Sequence, residues 1–234
     1  GSMSCADIVA ALYFYKMRHD PKDRFLADRD RFIMSKGHSV LAQYAALAEA
    51  GYFPKETLKK TKTLGCILQG HPERETPGVE ANTGSLGQGL SIGVGMALGG
   101  RLDGLGYHTW VILGDGELAE GQVWEAAMFA SHNHLDNVIA IVDRNGLQID
   151  GLVERVVGLE PLVDKWKAFR WSPIVVDGHD ITQLIGAYDT AAKTKGQPTV
   201  ILARTILKER MRTVQGIGVA AALAGVVLVS LGSA

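Results

Sequence analysis

The sequence predicts an α/β domain built on a parallel sheet with helices on both faces, and three observations lead to that fold class. Short apolar runs of strand character are separated by segments with helical spacing. The chain has 234 residues, which suits one sizeable domain or, less simply, two small ones. Its 47% hydrophobic and 21% charged residues are ordinary for a folded globular protein.

The first half of the chain is predicted to hold helices and one long loop. Helical spacing of apolar side chains predicts helices over residues 5–17, 38–50 and 86–102, and Pro54 opens a further short, charged helix. Residues 61–85 lack periodicity and contain several glycines and prolines, so they are predicted to form a loop. Because loops of this length in compact domains are usually functional, this one is a candidate part of a site.

The second half alternates between strands and helices. Strands are predicted at 108–113, 138–143, 173–177 and 198–204, and helices at 120–132, 161–169 and 181–194. Apolar strands separated by helices are typical of a parallel sheet that is buried on both faces. The four tryptophans, Trp110, Trp124, Trp166 and Trp171, are assigned to the core rather than to a site.

Composition and charge narrow the classes of partner and compartment. The formal net charge is -1, so there is no basic field to hold a nucleic-acid backbone, and that partner is excluded. The two cysteines, Cys5 and Cys66, fit neither a metal-binding spacing nor a disulfide framework. A reducing, cytoplasmic setting without a secretory signal is therefore the simpler prediction.

The last part of the chain differs in composition from the rest. Residues 216–232 form an uncharged apolar run of about 17 residues, which is the lower limit for spanning a membrane. The predicted organisation is a domain at 4–206 followed by an apolar tail at 207–234. The tail could be a short anchor, a docking segment or sequence foreign to the fold, and membrane attachment is the less favoured of these.

Two strand ends carry the polar residues that suggest chemistry. The strand at 108–113 leads into the turn at 114–117, and the strand at 138–143 leads into Asn145 and Leu147. Because parallel strands end on one edge of a sheet, Asp115 and Asn145, which are 30 positions apart, can converge there. A carboxylate, an amide oxygen and a nearby backbone carbonyl suit Mg²⁺ or Ca²⁺, with a bound diphosphate completing the shell.

The same turn can accept a phosphate. Gly116 has no Cβ, so its N–H can approach a phosphate closely, and the start of the following helix favours negative charge. Gly-Asp-Gly and Asn-Gly are also common turns, and each taken singly is better explained as structural. Their joint placement at two neighbouring strand ends favours a binding site.

The motifs around these residues resemble those of transketolase. Gly-Asp-Gly, followed after 28 residues by Asn, is similar to the signature of thiamine-diphosphate enzymes. Segments resembling transketolase in particular are DRDRFIMSKGHSVLAQYAALAEAGYF (28–53), GHPERETPGVEANTGSLGQGLSIGVGMAL (70–98), GDGELAEGQVWEAAMFA (114–130), IAIVDRNGLQIDG (139–151) and the stretch at 175–205. The resemblance covers roughly residues 4–206 and implies the thiamine-diphosphate-binding fold, in its diphosphate-type domain.

The resemblance implies a role for each matching position. Asp115, Asn145 and the carbonyl of Leu147 match the metal ligands of the family. The positions that match cofactor-binding residues are His38, Gly84, Ser85, Leu86, Gly114, Asp115, Gly116, Glu117 and Asn145. The positions that match catalytic residues are His71, in the substrate channel, and Glu120 and Glu125, at the interface that couples two active sites. Structural alternatives stay open for His38 and Glu120, each of which stands at the start of a predicted helix.

The resemblance also implies a partner chain. In the family, the glutamate that activates the cofactor's aminopyrimidine lies in a second domain, which residues 1–234 do not contain. The implied protein is the N-terminal subunit of a split transketolase, active with a C-terminal, pyrimidine-domain subunit in a heterotetramer. It would transfer a two-carbon ketol unit between sugar phosphates, using thiamine diphosphate and Mg²⁺ or Ca²⁺.

Two alternatives to this function stay open. One is another thiamine-diphosphate enzyme, similar to 1-deoxyxylulose-5-phosphate synthase or to a 2-oxo-acid dehydrogenase, although the segments at 70–98 resemble transketolase more. The other is a non-catalytic cofactor-binding or assembly protein. Two histidine-bearing segments of the family, one before Ser4 and one after Ile206, have no match here, which favours this second alternative. The matching site residues favour the enzyme.

Overall fold

A five-stranded, all-parallel sheet is the centre of the fold. The computed structural model describes residues 1–149 and 151–205. The strands of the main sheet are β1 (Arg31–Met34), β2 (Thr109–Gly114), β3 (Val138–Arg144), β6 (Ser172–Asp177) and β7 (Thr199–Arg204), in the order β1-β2-β3-β7-β6. A small antiparallel hairpin, β4 (Leu147–Gln148) and β5 (Gly151–Leu152), follows the end of β3.

Seven α-helices connect and cover these strands within the described residues. They are α1 (Ala6–Ala11), α2 (Val40–Ala50), α3 (Gln88–Leu102), α4 (Gly121–His132), α5 (Val153–Val156), α6 (Leu162–Ala168) and α7 (Ile181–Lys193). Helix α1 continues into a π-helical turn at Leu12–Lys16, and 3₁₀ turns lie at Gly37–Ser39, Lys55–Lys60 and Gly116–Ala119. The alternation of strand and helix places the carboxyl ends of all the main strands at one edge of the sheet.

Alternating side chains of the strands form two separate hydrophobic layers. In β2, Trp110 and Ile112 pack with α1, α2 and α7, whereas Val111 and Leu113 pack on the opposite face with α3, α4 and α6. All four side chains are fully buried, and each contributes about 1.5–3 kcal/mol to folding. The predicted parallel sheet with helices on both faces is therefore confirmed.

Most predicted elements agree with the structure to within two residues, but one strand of the main sheet, the small hairpin of β4 and β5, and the short helix α5 were missed. β1 over Arg31–Met34 lies between charged residues and the Ser35-Lys36 pair, and its four residues gave too short an apolar run to be recognised. The helix predicted over 5–17 is instead a short α-helix followed by the π-helical turn. Three of the four tryptophans are buried and Trp124 is half-buried, as expected for core residues.

The predicted tail at 207–234 lies outside the described residues. Among the residues that the structure describes, no helix is both long enough and apolar enough to cross a bilayer.

Candidate functional site

The ends of β2 and β3 meet at the carboxyl edge of the sheet. The two strands pair in parallel, with Gly114 level with Asp143. Just beyond this pair, the Asp115 carboxylate accepts a hydrogen bond from the N–H of Gly116 through Oδ1 at 2.9 Å, and one from the N–H of Gly146 through Oδ2 at 2.7 Å. One carboxylate therefore joins the two turns, and the structure brings together the strand ends that the sequence predicted to converge.

The oxygen donors at these turns suit a hard divalent cation. Asp115 is only 2% exposed, and burial raises the pKa of its carboxyl group. The amide oxygen of Asn145 accepts from the N–H of Leu147 at 2.9 Å, and Gly146 between them donates to Asp115. The described residues contain no cluster of three His, Cys, Asp or Glu side chains that could hold a metal. A cation here would depend on one carboxylate, one amide and one carbonyl oxygen, a donor set that fits a hard cation such as Mg²⁺ or Ca²⁺ and not a soft metal that requires thiolate ligands.

A cavity of about 280 Å³ opens beside these donors. Eight of the predicted site residues line it: His38, Leu86, Gly114, Asp115, Gly116, Glu117, Asn145 and Leu147. Its volume is just below the ~300–1,000 Å³ of typical small-molecule sites, which suits one end of an elongated ligand. Three lining residues, Lys36, Gln148 and Ile149, were not predicted. The Oε1 atom of Gln148 is buried and has no hydrogen-bond partner among the described residues, so it is a polar atom available to a ligand.

Lys36 and Asp143 form a fully buried ion pair under the cavity. Their side chains are 1% and 0% exposed. The Asp143 carboxylate also accepts from the hydroxyl of Ser4 at 2.6 Å and from the hydroxyl of Thr205. Lysine is almost never fully buried without a partner, and a strand-end aspartate more than 100 positions away gave no sequence signal of the pairing. The neighbouring His38 is exposed, and its pKa is lowered by desolvation and by the charge of Lys36.

The loop before α3 brings His71 and Gly84 into contact. Gly84 has φ +153°, and a Cβ placed on it would lie 2.9 Å from Cδ2 of His71, so this position requires glycine. His71 and Ser85 are both exposed to solvent. The predicted substrate-channel histidine therefore lies beside the predicted cofactor-binding residues Gly84 and Ser85, and His71 itself is not among the residues that line the cavity.

The three predicted glutamates occupy different surroundings. Glu117 is 2% exposed, and protein donors hold both of its carboxylate oxygens. Glu120 and Glu125 are exposed at the start and in the middle of α4, and neither lines the cavity. Their expected place at a subunit interface stays a prediction.

One known protein family matches almost the whole chain. The family model described as "Transketolase, thiamine diphosphate binding domain" matches residues 1–222. The chain belongs to this family. The resemblance to transketolase found in the sequence is thereby confirmed.

Relatives of this transketolase domain include subunits of split enzymes. The chain is 47% identical over 207 residues to the "6-deoxy-6-sulfo-D-fructose transketolase subunit SqwG" of Clostridium sp. (strain MSTE9), covering 88% of this chain and 75% of the relative. It is 42% identical over 217 residues to one of the subunits of the apulose-4-phosphate transketolase of Phocaeicola vulgatus, covering 93% and 77%. A solved transketolase from Campylobacter jejuni superposes with a TM-score of 0.83 at 31% identity, covering 89% of this chain and 34% of that chain.

Proposed function

We propose that this chain is the diphosphate-binding subunit of a split transketolase that transfers a two-carbon ketol unit between sugars. The observation that carries the proposal is the Asp115 carboxylate, which joins the ends of β2 and β3 beside the cavity. The similarity to relatives named as transketolase subunits, each covered to about three quarters of its length, supports the division into two chains.

The residues of this chain have binding and positioning tasks. Asp115, Asn145 and the carbonyl of Leu147 would hold Mg²⁺ or Ca²⁺, and the cation would offset the cost of keeping the buried Asp115 ionised. Gly116 and the side chain of His38 would contact the diphosphate of thiamine diphosphate. When bound, that cofactor supplies the electron sink for breaking a carbon–carbon bond next to a ketose carbonyl.

The remaining predicted residues surround the open side of the site. Gly84, Ser85 and Leu86 would contact the rings of the cofactor, and His71, packed on Gly84, would line the approach of the sugar. Glu120 and Glu125 are exposed and would meet another chain of the complex, where carboxylates from two chains come together. A C-terminal subunit carrying the pyrimidine-binding domain would complete the site, in a heterotetramer located in the cytoplasm.

The names of the relatives narrow the substrate class. One relative is named for a sulfonated ketose and another for a phosphorylated sugar. Both names describe a sugar with a strong acid group. We propose the same class here, with the acid group bound mainly by the partner subunit, because the described cavity already suits the diphosphate and its cation.

Titration calorimetry with thiamine diphosphate and Mg²⁺ tests the cofactor site. We expect the wild-type chain to bind, and Asp115→Asn to bind roughly 100-fold more weakly, because a ligand and the link between the two turns are both weakened. Asp30→Asn is the matched control, since Asp30 is also a buried carboxylate with two backbone donors but lies at the opposite edge of the sheet. Equal affinity for wild type and Asp115→Asn would rule out the proposed site.

Activity is tested with the partner chain present. We expect this subunit, mixed with its C-terminal partner, to transfer a ketol unit from 6-deoxy-6-sulfofructose or xylulose 5-phosphate to an aldose phosphate. Cofactor binding without transfer from any acidic ketose, in a stable complex of the two chains, would favour the non-catalytic alternative.

A further inference from the structure

Three of the loops that line the cavity meet at one buried carboxylate. The loops are 35–38 after β1, 84–87 before α3 and 114–117 after β2. Oε1 of Glu117 accepts from the N–H of Gly87 at 2.9 Å and from the hydroxyl of Ser35. Oε2 of Glu117 accepts from the N–H of Gly114 at 3.0 Å. A single side chain therefore bonds to one donor in each of the other two loops and to one in its own.

The packing around this carboxylate leaves little room for the loops to shift independently. Gly87 has φ +84°, and a Cβ on it would lie 2.6 Å from Cβ of Glu120, directly after the turn of Glu117. A Cβ on Gly89 would overlap the side chain of Ser35. The backbone at Gly87 and Gly89 therefore packs directly against the side chains of Glu120 and Ser35, and the hydrogen bonds of Glu117 join the loops within this close packing.

Glu117 links the two ends of the proposed cofactor site. The turn at 114–117 provides the diphosphate end, and the loop at 84–87 provides the end that faces the cofactor rings. We propose that Glu117 is a positioning residue that holds the 84–87 loop in register with the diphosphate turn, so that both ends of the cofactor are bound at once. This inference rests on the proposed function, and it assigns Glu117 to the supporting structure of the site instead of to direct cofactor contact.

If Glu117 is a positioning residue, its substitution should change the affinity for two ligands by different amounts. Inorganic diphosphate with Mg²⁺ needs only the turn at 114–117 and the cation ligands. Thiamine diphosphate with Mg²⁺ also needs the loop at 84–87 at the correct distance. Loss of the hydrogen bonds of Glu117 should therefore weaken the binding of thiamine diphosphate more than the binding of inorganic diphosphate. General damage to the fold should weaken the binding of both ligands to the same extent.

The substitution Glu117→Gln tests this difference by calorimetry on the full chain. Glutamine keeps the volume, but its amide nitrogen cannot accept, so the N–H of either Gly87 or Gly114 loses its partner. We expect the Kd of thiamine diphosphate with Mg²⁺ to rise about 10-fold, and that of inorganic diphosphate with Mg²⁺ by less than about 3-fold, in line with the loss of one charge-assisted hydrogen bond. Equal changes for the two ligands, or no change for either, would overturn the inference.

Two further variants separate positioning from stability. Asp30→Asn creates the same kind of defect at the opposite edge, and we expect it to lower the melting temperature without changing either Kd. Ser35→Ala removes only the hydroxyl donor to Glu117, so we expect the Kd of thiamine diphosphate to rise about 3-fold and that of inorganic diphosphate to rise less. This variant tests the inference even if Glu117→Gln does not fold. A wild-type chain that binds neither ligand would overturn the proposed function together with this inference. Binding by wild type with unaltered selectivity in both variants would overturn this inference alone.

Discussion

Two buried aspartates with nearly the same hydrogen bonds lie at opposite edges of the sheet. Asp30, just before β1, accepts from the backbone N–H groups of Arg18 and His108 at 2.9 and 2.8 Å. Asp115, just after β2, accepts from two backbone N–H groups at 2.9 and 2.7 Å. Both residues are at most 6% exposed. Their own bonding therefore does not reveal which of them belongs to a site.

The surroundings of the two carboxylates differ in backbone geometry and in open space. Of the two donors to Asp30, His108 leads directly into β2, and Arg18 follows the π-helical turn at Leu12–Lys16. The donors of Asp115 are glycines in turns that leave the strands, and the turns diverge around the cavity of about 280 Å³. A buried carboxylate becomes a candidate ligand where glycine-containing turns at the carboxyl edge leave its remaining lone pairs facing open space.

The largest loss of stability is expected at the ion pair of Lys36 and Asp143 under the cavity, and it should exceed the loss at Asp30. Asp143→Ala leaves the ammonium of Lys36 buried without its counter-charge, and we expect unfolding free energy to fall by about 3–5 kcal/mol in denaturant titrations. The double variant Lys36→Met with Asp143→Leu is the control. Its unfolding free energy should fall much less, because neither buried charge remains. A loss below about 1 kcal/mol in Asp143→Ala would mean that the pair is not closed in solution.

A smaller effect is expected at the amino edge. Asp30→Asn leaves one of the two backbone N–H groups without an acceptor, so we expect it to destabilise the fold by about 1–3 kcal/mol. Thermal unfolding measures this change, and calorimetry with thiamine diphosphate and Mg²⁺ should give the wild-type Kd. A higher Kd in this variant would contradict the proposal that Asp30 at the amino edge is structural and that only the carboxyl edge binds the cofactor.

The smallest expected effect concerns pH. The pKa of His38 is lowered in the folded chain, so as pH falls below about 6.5 the unfolded chain takes up a proton before the folded one does. Wild type should therefore lose stability on acidification relative to His38→Asn, by less than ~1 kcal/mol because the side chain is exposed to solvent. The difference in unfolding free energy between wild type and His38→Asn should not change with pH above about 7.5. Parallel stability curves from about pH 5 to 8 would contradict the lowered pKa.

Sequence reasoning succeeded where a local pattern is enough. The strands that became β2 and β3 are apolar runs bounded by polar turns, and their parallel pairing follows from the helix between them. The convergence of Asp115 with the Asn145 turn was predictable because both follow strands of one parallel sheet. The roles taken from the family resemblance, including those of His71, Glu120 and Glu125, stay predictions.

The sequence by itself determined the class of fold, the family and the edge of the sheet on which the site lies, since periodicity and short motifs encode these locally. Only the tertiary structure decided which charges are buried together and which loops are joined. Lys36 meets Asp143 across 107 positions, and Glu117 meets Gly87 across 30. The reason is physical: a buried charge is stable only with a partner brought to it by the completed fold, and the periodicity of neither segment shows which distant residue that partner will be.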